Sequence, residues 1–206
     1  MAATYCNPLP IQGIGDPFVL RASDGRYYLY ATSAPDGFLC WASDDLVHWD
    51  PQGPCYTAGP EDWGIRDFWA PEGYEIDGRF YLFYSAHNKD NPMNEDENYC
   101  LGVAVSDSPT GPFRDVTPGA PLLRLDYPII DVNLLRDDEG RVLRDADGNF
   151  TLYFSRCCYK HRVGPYEESH IYGIALRPDM RSFVGQPRLL LQPDQAWENW
   201  SAPTTG

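Results

Sequence analysis

The chain has 206 residues, which is enough for one domain with a sizeable core. Its composition, with 43% hydrophobic and 22% charged residues, is typical of a folded globular protein rather than a disordered one. Acidic residues outnumber basic ones by 30 to 16, and the net charge of -14 opposes binding to nucleic acid or to an anionic membrane surface. A neutral ligand suits this charge better.

The N-terminal segment MAATYCNPLPIQG lacks the basic and apolar regions of an export signal, and no later stretch is apolar over the about 18 residues that suggest a membrane span. The six cysteines form no C-x-x-C pair, which disfavours a zinc site. They are expected to be buried free thiols in a reducing compartment. We therefore expect a cytoplasmic protein, with secretion left open because a lost signal or a cleaved precursor would overturn it.

Helical signals are almost absent, and short runs rich in Tyr, Phe, Val and Leu alternate with turn dipeptides such as Asp-Gly and Gly-Pro, which predicts an all-β chain. The runs repeat in three units that each predict four short strands. Each unit has two parts, and in chain order these are residues 16–33 with 37–49, 70–86 with 98–113, and 131–155 with 170–183.

The first strands of these units begin at Asp16, Ala70 and Asp131, which are 54 and 61 residues apart. This period is expected for β-propeller blades and is too long for most solenoid repeats. The first strand of a blade lines the central channel, so Asp16 and Asp131 are expected to come within reach of each other although 115 positions separate them.

A lone Asp-Pro usually marks a turn, but three related motifs open the three units at the blade period: G-D-P-F from Gly15, F-W-A-P-E from Phe68 and Y-P-I-I-D-V-N from Tyr127. Together with G-R-F-Y-L-F-Y-S and the D-V-N-L block, they resemble glycoside hydrolase family 43 over essentially the whole chain. The resemblance implies a five-bladed β-propeller. Residues 1–206 would form a partial catalytic domain, with blades 1 to 3 and the approach to blade 4.

The resemblance also implies catalytic roles. Asp16 is similar to the family's general base, and Asp131 to the carboxylate that orients the general acid and modulates its pKa; Asp131 stands in D-V-N where D-P-N is more usual. Inverting glycosidases need a base and a protonated acid on opposite faces of the sugar. A negative neighbour keeps that acid protonated near neutral pH.

The family's general acid is a Glu in a T-E-G-P-like motif that opens blade 4. The sequence W-E-N-W-S-A-P-T-T-G from Trp197 resembles the approach to it, but no Glu follows Thr205. Glu198 is the nearest acid and is expected to belong to the preceding loop. We therefore expect the 206 residues alone to be inactive and to self-associate through open propeller edges.

Two aromatic residues beside the second motif, Phe68 and Trp69, are candidates for stacking on a sugar ring, with blade packing as the alternative for both. The four histidines show no metal-ligand spacing and are expected on the surface or in loops. The sequence predicts no metal site and no cofactor.

The resemblance implies hydrolysis of α-L-arabinofuranosyl or β-D-xylosyl linkages in plant polysaccharides, by inversion, with a neutral oligosaccharide or polysaccharide as the partner. Two alternatives stay open. One is a non-catalytic, carbohydrate-binding or degenerate propeller piece. The other is a sucrose- or fructan-cleaving relative that uses the first-blade Asp as a nucleophile.

Overall fold

The computed structural model describes residues 9, 11–89, 98–159 and 161–198. Its strands form three four-stranded antiparallel sheets. The first sheet contains β1 (Gly15–Arg21), β2 (Tyr27–Ala34), β3 (Gly37–Ser43) and β4 (Asp50–Thr57). The second contains β5 (Gly64–Ile76), β6 (Arg79–Asn88), β7 (Tyr99–Ser106) and β8 (Arg114–Asp115). The third contains β9 (Ile129–Leu134), β10 (Phe150–Arg156), β13 (His170–Leu176) and β14 (Phe183–Leu191).

Each sheet is one of the units expected from the sequence, with neighbouring strands joined in the order of the chain. Local turn chemistry explains much of this order. Asp77 and Gly78, which join β5 to β6, both have left-handed backbone angles, with φ of 52° and 75°. Such a pair matches the right-handed twist of the flanking strands and closes a tight hairpin. The all-β fold is confirmed, and each of the three units forms one four-stranded sheet. The number of propeller blades stays a prediction; the three sheets are called blades 1, 2 and 3 below.

The apolar core lies between successive blades, as it does where sheets pack face to face. The largest fully buried rings between blades 1 and 2 include those of Trp63, Tyr30, Phe38, Phe68 and Tyr84. A second cluster joins blades 2 and 3, and its fully buried members include Phe83, Leu101, Val132, Leu134, Leu152 and Phe154. The first strands β1 and β5 contact each other, as do β5 and β9, which brings the motif-bearing strands together at the centre.

Some local features differ from the sequence expectation. The outer strand β8 of blade 2 is only two residues long, because the chain leaves the sheet after Asp115. A small hairpin, β11 (Arg162–Val163) with β12 (Tyr166–Glu167), fills the loop before β13. A single 3-10 turn covers Ala196–Glu198. In the described part of the chain, no helix is long and apolar enough to cross a membrane.

The expectation of buried free thiols is confirmed for Cys40, Cys55, Cys100 and Cys157, and the reducing compartment stays a prediction. Cys158 is half-buried, and Cys6 lies outside the described residues. The histidine expectation is wrong in two cases. His87 and His170 lie in strands β6 and β13 and are 4% and 8% exposed. Nε2 of His170 lies 3.0 Å from the Glu168 carboxylate, and Nε2 of His87 lies 3.5 Å from a guanidinium nitrogen of Arg66.

Candidate active site

The first strands of all three blades share a backbone irregularity at the positions singled out by the motifs. Asp16, Ala70 and Asp131 have left-handed φ angles of 47°, 45° and 59°. The pairing register shifts at each of these points, as in a β-bulge. A bulge bends the strand and re-aims a side chain out of the regular alternation. The blades therefore present the residues at these three positions to a common centre in the same way.

Asp16 and Asp131 are brought together from blades 1 and 3. Burial by the surrounding protein raises the pKa of Asp131, and the charge of Asp16 raises it further. Both residues are exposed to solvent. Asp16 is held by the hydroxyl of Thr32 on β2, which donates a hydrogen bond of 2.9 Å to its Oδ2 atom. Asp16 thus lies near Asp131, close enough for its charge to act on the second carboxyl group, and both carboxylates are exposed.

A third carboxylate, Glu72, was not assigned a role from the sequence although it lies within F-W-A-P-E. Its pKa is raised mainly by burial, and the charge of Asp131 acts in the same direction. The Tyr74 hydroxyl donates to Glu72, and Asn133 Nδ2 donates to it over 2.8 Å. The Tyr74 hydroxyl also accepts the backbone N–H of Leu134 over 3.0 Å. Glu72 therefore ties blade 2 to blade 3 just beside Asp131.

Trp69 lies at one wall of a cleft of about 360 Å³ between blades 1 and 2. The cleft is lined by residues 13, 32–35 and 66–69. One face of the Trp69 ring stacks on Tyr99, with the ring centres 4.5 Å apart. Tyr99 is 5% exposed and packs in turn against the rings of His87 and Tyr159. The indole thus packs on Tyr99 with one face while it borders the cleft.

Phe68, the other aromatic candidate, is buried in the core. Its ring is 1% exposed and contacts the rings of Phe38, Tyr56 and Tyr84, each about 6.0 Å away between centres. Phe68 is among the residues that line the cleft, but its side chain presents almost no surface there because it is buried. This placement gives the Phe68 ring a packing role and leaves it no face for a sugar.

Glu198 is placed in the loop after β14, as expected. Its Oε2 atom accepts the backbone N–H groups of Asp194 and Gln195, both over 2.9 Å. It caps the short 3-10 turn there. Among the residues that the structure describes, no group of three or more His, Cys, Asp and Glu side chains could hold a metal ion.

Residues 5–204 match the model of glycosyl hydrolases family 43. Xylosidase/arabinosidase 43A of Humicola insolens is 30% identical over 155 residues, which cover 64% of this chain and 42% of that protein. The probable arabinan endo-1,5-alpha-L-arabinosidase C of Aspergillus clavatus is 34% identical over 115 residues, or 52% of this chain and 34% of that protein.

Solved structures agree with the sequence relatives. A thermostable family-43 glycoside hydrolase superposes with a TM-score of 0.79 at 36% identity, over 95% of this chain and 58% of that one. The chain therefore spans less than half the length of the two curated relatives and somewhat more than half of the structural one.

Proposed function

This chain belongs to glycosyl hydrolases family 43, and on that premise we propose that the protein containing it hydrolyses α-L-arabinofuranosyl or β-D-xylosyl linkages in plant polysaccharides. The observation that carries the proposal is the convergence of Asp16 and Asp131 from blades 1 and 3. The relatives named as a xylosidase/arabinosidase and an arabinan endo-arabinosidase support the choice of pentose linkages. The net charge of -14 suits a neutral polysaccharide.

Asp16 acts as the general base in this proposal. Thr32 binds the Oδ2 atom of its carboxylate, so Oδ1 is the atom that takes a proton from water. The water attacks the anomeric carbon on the face opposite the leaving group, and its oxygen forms the new bond as the glycosidic bond breaks. One displacement inverts the configuration of the sugar and needs no redox cofactor.

The leaving oxygen must be protonated by a carboxylic acid on the other face of the sugar. By its resemblance to the family, this acid is a Glu of a T-E-G-P-like motif, which the 206 residues do not contain. Asp131 keeps that acid protonated, because a nearby negative charge raises the pKa of a carboxyl group. The 206 residues alone are therefore proposed to bind sugar but to cleave unactivated linkages very slowly.

Trp69 supplies the platform for the sugar. An indole face stacks well on the apolar face of a pentose, and the packing of Trp69 on Tyr99 fixes the ring before substrate arrives. A platform held in place loses little side-chain entropy when it binds.

The test is hydrolysis by protein expressed from the complete reading frame, with the 206-residue chain assayed beside it. Nitrophenyl α-L-arabinofuranoside and β-D-xyloside, arabinan oligomers and xylan oligomers are the substrates, and NMR records the anomer released first. We expect cleavage with inversion by the complete protein. Binding without cleavage would favour a carbohydrate-binding protein, and cleavage with retention would favour an Asp16 nucleophile. Robust cleavage of unactivated oligomers by the 206 residues would show that the chain already holds its acid.

A further inference from the structure

A hydroxyl side chain occupies the same place in each blade, on the second strand and opposite the left-handed residue. Gly15 pairs with Thr32, Trp69 with Ser85 and Ile130 with Ser155. In each blade, the first-strand residue of this pair is followed directly by a left-handed residue. These left-handed residues are Asp16, Ala70 and Asp131. The hydroxyls therefore stand in a common register around the centre of the blades.

Two of these hydroxyls bind across a blade boundary. The Thr32 Oγ1 atom in blade 1 accepts the backbone N–H of Ala70 in blade 2 over 2.9 Å. The Ser85 Oγ atom in blade 2 accepts the backbone N–H of Asp131 in blade 3 over 3.0 Å. The left-handed conformation is strained for residues other than glycine and persists only where the surroundings hold it. Each hydroxyl thus stabilises the strained residue that opens the next blade.

Thr32 also makes a hydrogen bond to Asp16, the left-handed residue of its own blade. Ser85 has no such acceptor in its own blade, because the residue equivalent to Asp16 there is Ala70. A hydroxyl has one proton to donate. Because Thr32 accepts the N–H of Ala70, its own proton is left for Asp16, and it donates that proton to Oδ2 over 2.9 Å. The backbone N–H of Ala70 in blade 2 therefore orients the Thr32 hydroxyl, and this hydroxyl in turn orients the Asp16 carboxylate in blade 1. In the described part of the chain, Oδ1 of Asp16 has no such donor.

We propose that Thr32 is a positioning residue for Asp16, and that Ser85 is the corresponding positioning residue for Asp131, acting through its backbone. The proposal rests on the function proposed above. Thr32 fixes the Oδ2 side of the Asp16 carboxylate and leaves Oδ1 directed at the attacking water. Displacement of the base should lower kcat much more than it weakens substrate binding, because small errors in the position of a catalytic group raise the free energy of the transition state.

The test compares Thr32→Val with Thr32→Ser in protein from the complete reading frame. Valine keeps the shape but removes the hydroxyl, whereas serine keeps the hydroxyl. We expect Thr32→Val to lower kcat about tenfold or more with KM nearly unchanged, and Thr32→Ser to retain most of kcat. Ser43→Ala is the matched control, because Ser43 in the same blade also accepts backbone N–H groups, those of Asp45 and Leu46, away from the site.

Hydrogen exchange of individual amides gives a readout that does not depend on activity. The amide of Ala70 should exchange faster in Thr32→Val, and that of Asp131 should exchange faster in Ser85→Ala, with neither changed in Ser43→Ala. If Thr32→Val keeps full kcat while Asp16→Asn loses it, the proposal for Thr32 is wrong and the proposed function stands. An inactive parent protein would instead overturn the proposed function. A kcat of Ser43→Ala as low as that of Thr32→Val would indicate a merely structural role.

Discussion

Asp16 lies close enough to Asp131 for its charge to raise the pKa of the Asp131 carboxyl group, although 115 positions separate the two residues in the sequence. If Asp16 is the base, Asp16→Asn should lower kcat at least a hundredfold, which is the usual contribution of a general base. The folded structure should persist because asparagine has the same shape. Steady-state kinetics and thermal unfolding check both points.

The matched control is Asp107→Asn, which removes the charge of an exposed Asp that pairs with Arg79. It should leave kcat unchanged. Unchanged turnover in Asp16→Asn would remove Asp16 from the mechanism.

Asp131→Asn should change the pH dependence of the reaction. The negative charge of Asp131 raises the pKa of the general acid in the proposed mechanism, so its removal lowers that pKa. The acid then loses its proton at a lower pH, and the alkaline fall of kcat/KM should move to lower pH. Rates measured from pH 4 to 9 with an unactivated oligomer show the shift. An alkaline limb that stays in place would mean that Asp131 does not modulate the acid.

Trp69 and Phe68 are neighbours in sequence, yet their substitutions should have separable effects. Trp69→Ala should raise KM about tenfold or more, because an apolar surface of this size contributes roughly 1.5 to 3 kcal/mol when it is covered. Phe68→Ala should instead lower the free energy of unfolding by about 3 to 5 kcal/mol, since its ring is fully buried. Kinetics and denaturant unfolding of both variants decide the matter. A raised KM with unchanged stability in Phe68→Ala would restore it to the binding site.

The strands and the two motif carboxylates could be predicted because they depend on local signals. Turn dipeptides such as Asp77-Gly78 and the period of the first strands set the blades, and the first strand always faces the centre. Thr32 and Glu72 could not be found in this way. Their roles depend on Ala70 and Asn133 in the neighbouring blade, and contacts between blades follow from packing and register rather than from sequence spacing.

The buried position of Asp115 could not be predicted from the sequence either, because its burial depends on the neighbouring blade. The hydroxyl of Tyr84 donates to it over 2.7 Å, and Tyr56 from blade 1 lies 3.4 Å away. Burial raises the pKa of Asp115 to about 6, and the charge of Asp62 adds to the effect. Nothing in the dipeptide Arg114-Asp115 distinguishes it from the many exposed Asp residues of the chain.

Asp115 should make stability depend on pH. Its pKa is higher in the folded protein than the ordinary value of 3.8, so the folded state binds the proton more tightly than the unfolded state. Stability should therefore fall as the pH rises from about 4 to about 6, by roughly 2 to 3 kcal/mol from this group. Asp115→Asn cannot ionise and should remove that part of the slope.

Denaturant unfolding at several pH values between 4 and 8 measures the slope in both proteins. Asp107→Asn again serves as the control, because Asp107 is exposed and its replacement should leave the slope as it is. An equal slope in Asp115→Asn and in the parent protein would place the titrating group elsewhere.

The 206-residue chain expressed alone should self-associate through β14, the outer strand of blade 3. Leu189, Leu190 and Leu191 are 42%, 44% and 66% exposed there, and β14 is the last strand in its sheet. An apolar strand with an open hydrogen-bonding edge is a ready site for pairing with another chain. Replacement of Leu189 and Leu191 by Lys should reduce the association, because charge on an edge strand disfavours pairing. Leu46→Lys, at an equally exposed leucine in a turn, should not. Size-exclusion chromatography with light scattering at micromolar concentration measures the mass, and a sharp monomer with a cooperative melt would show that the three blades are self-sufficient.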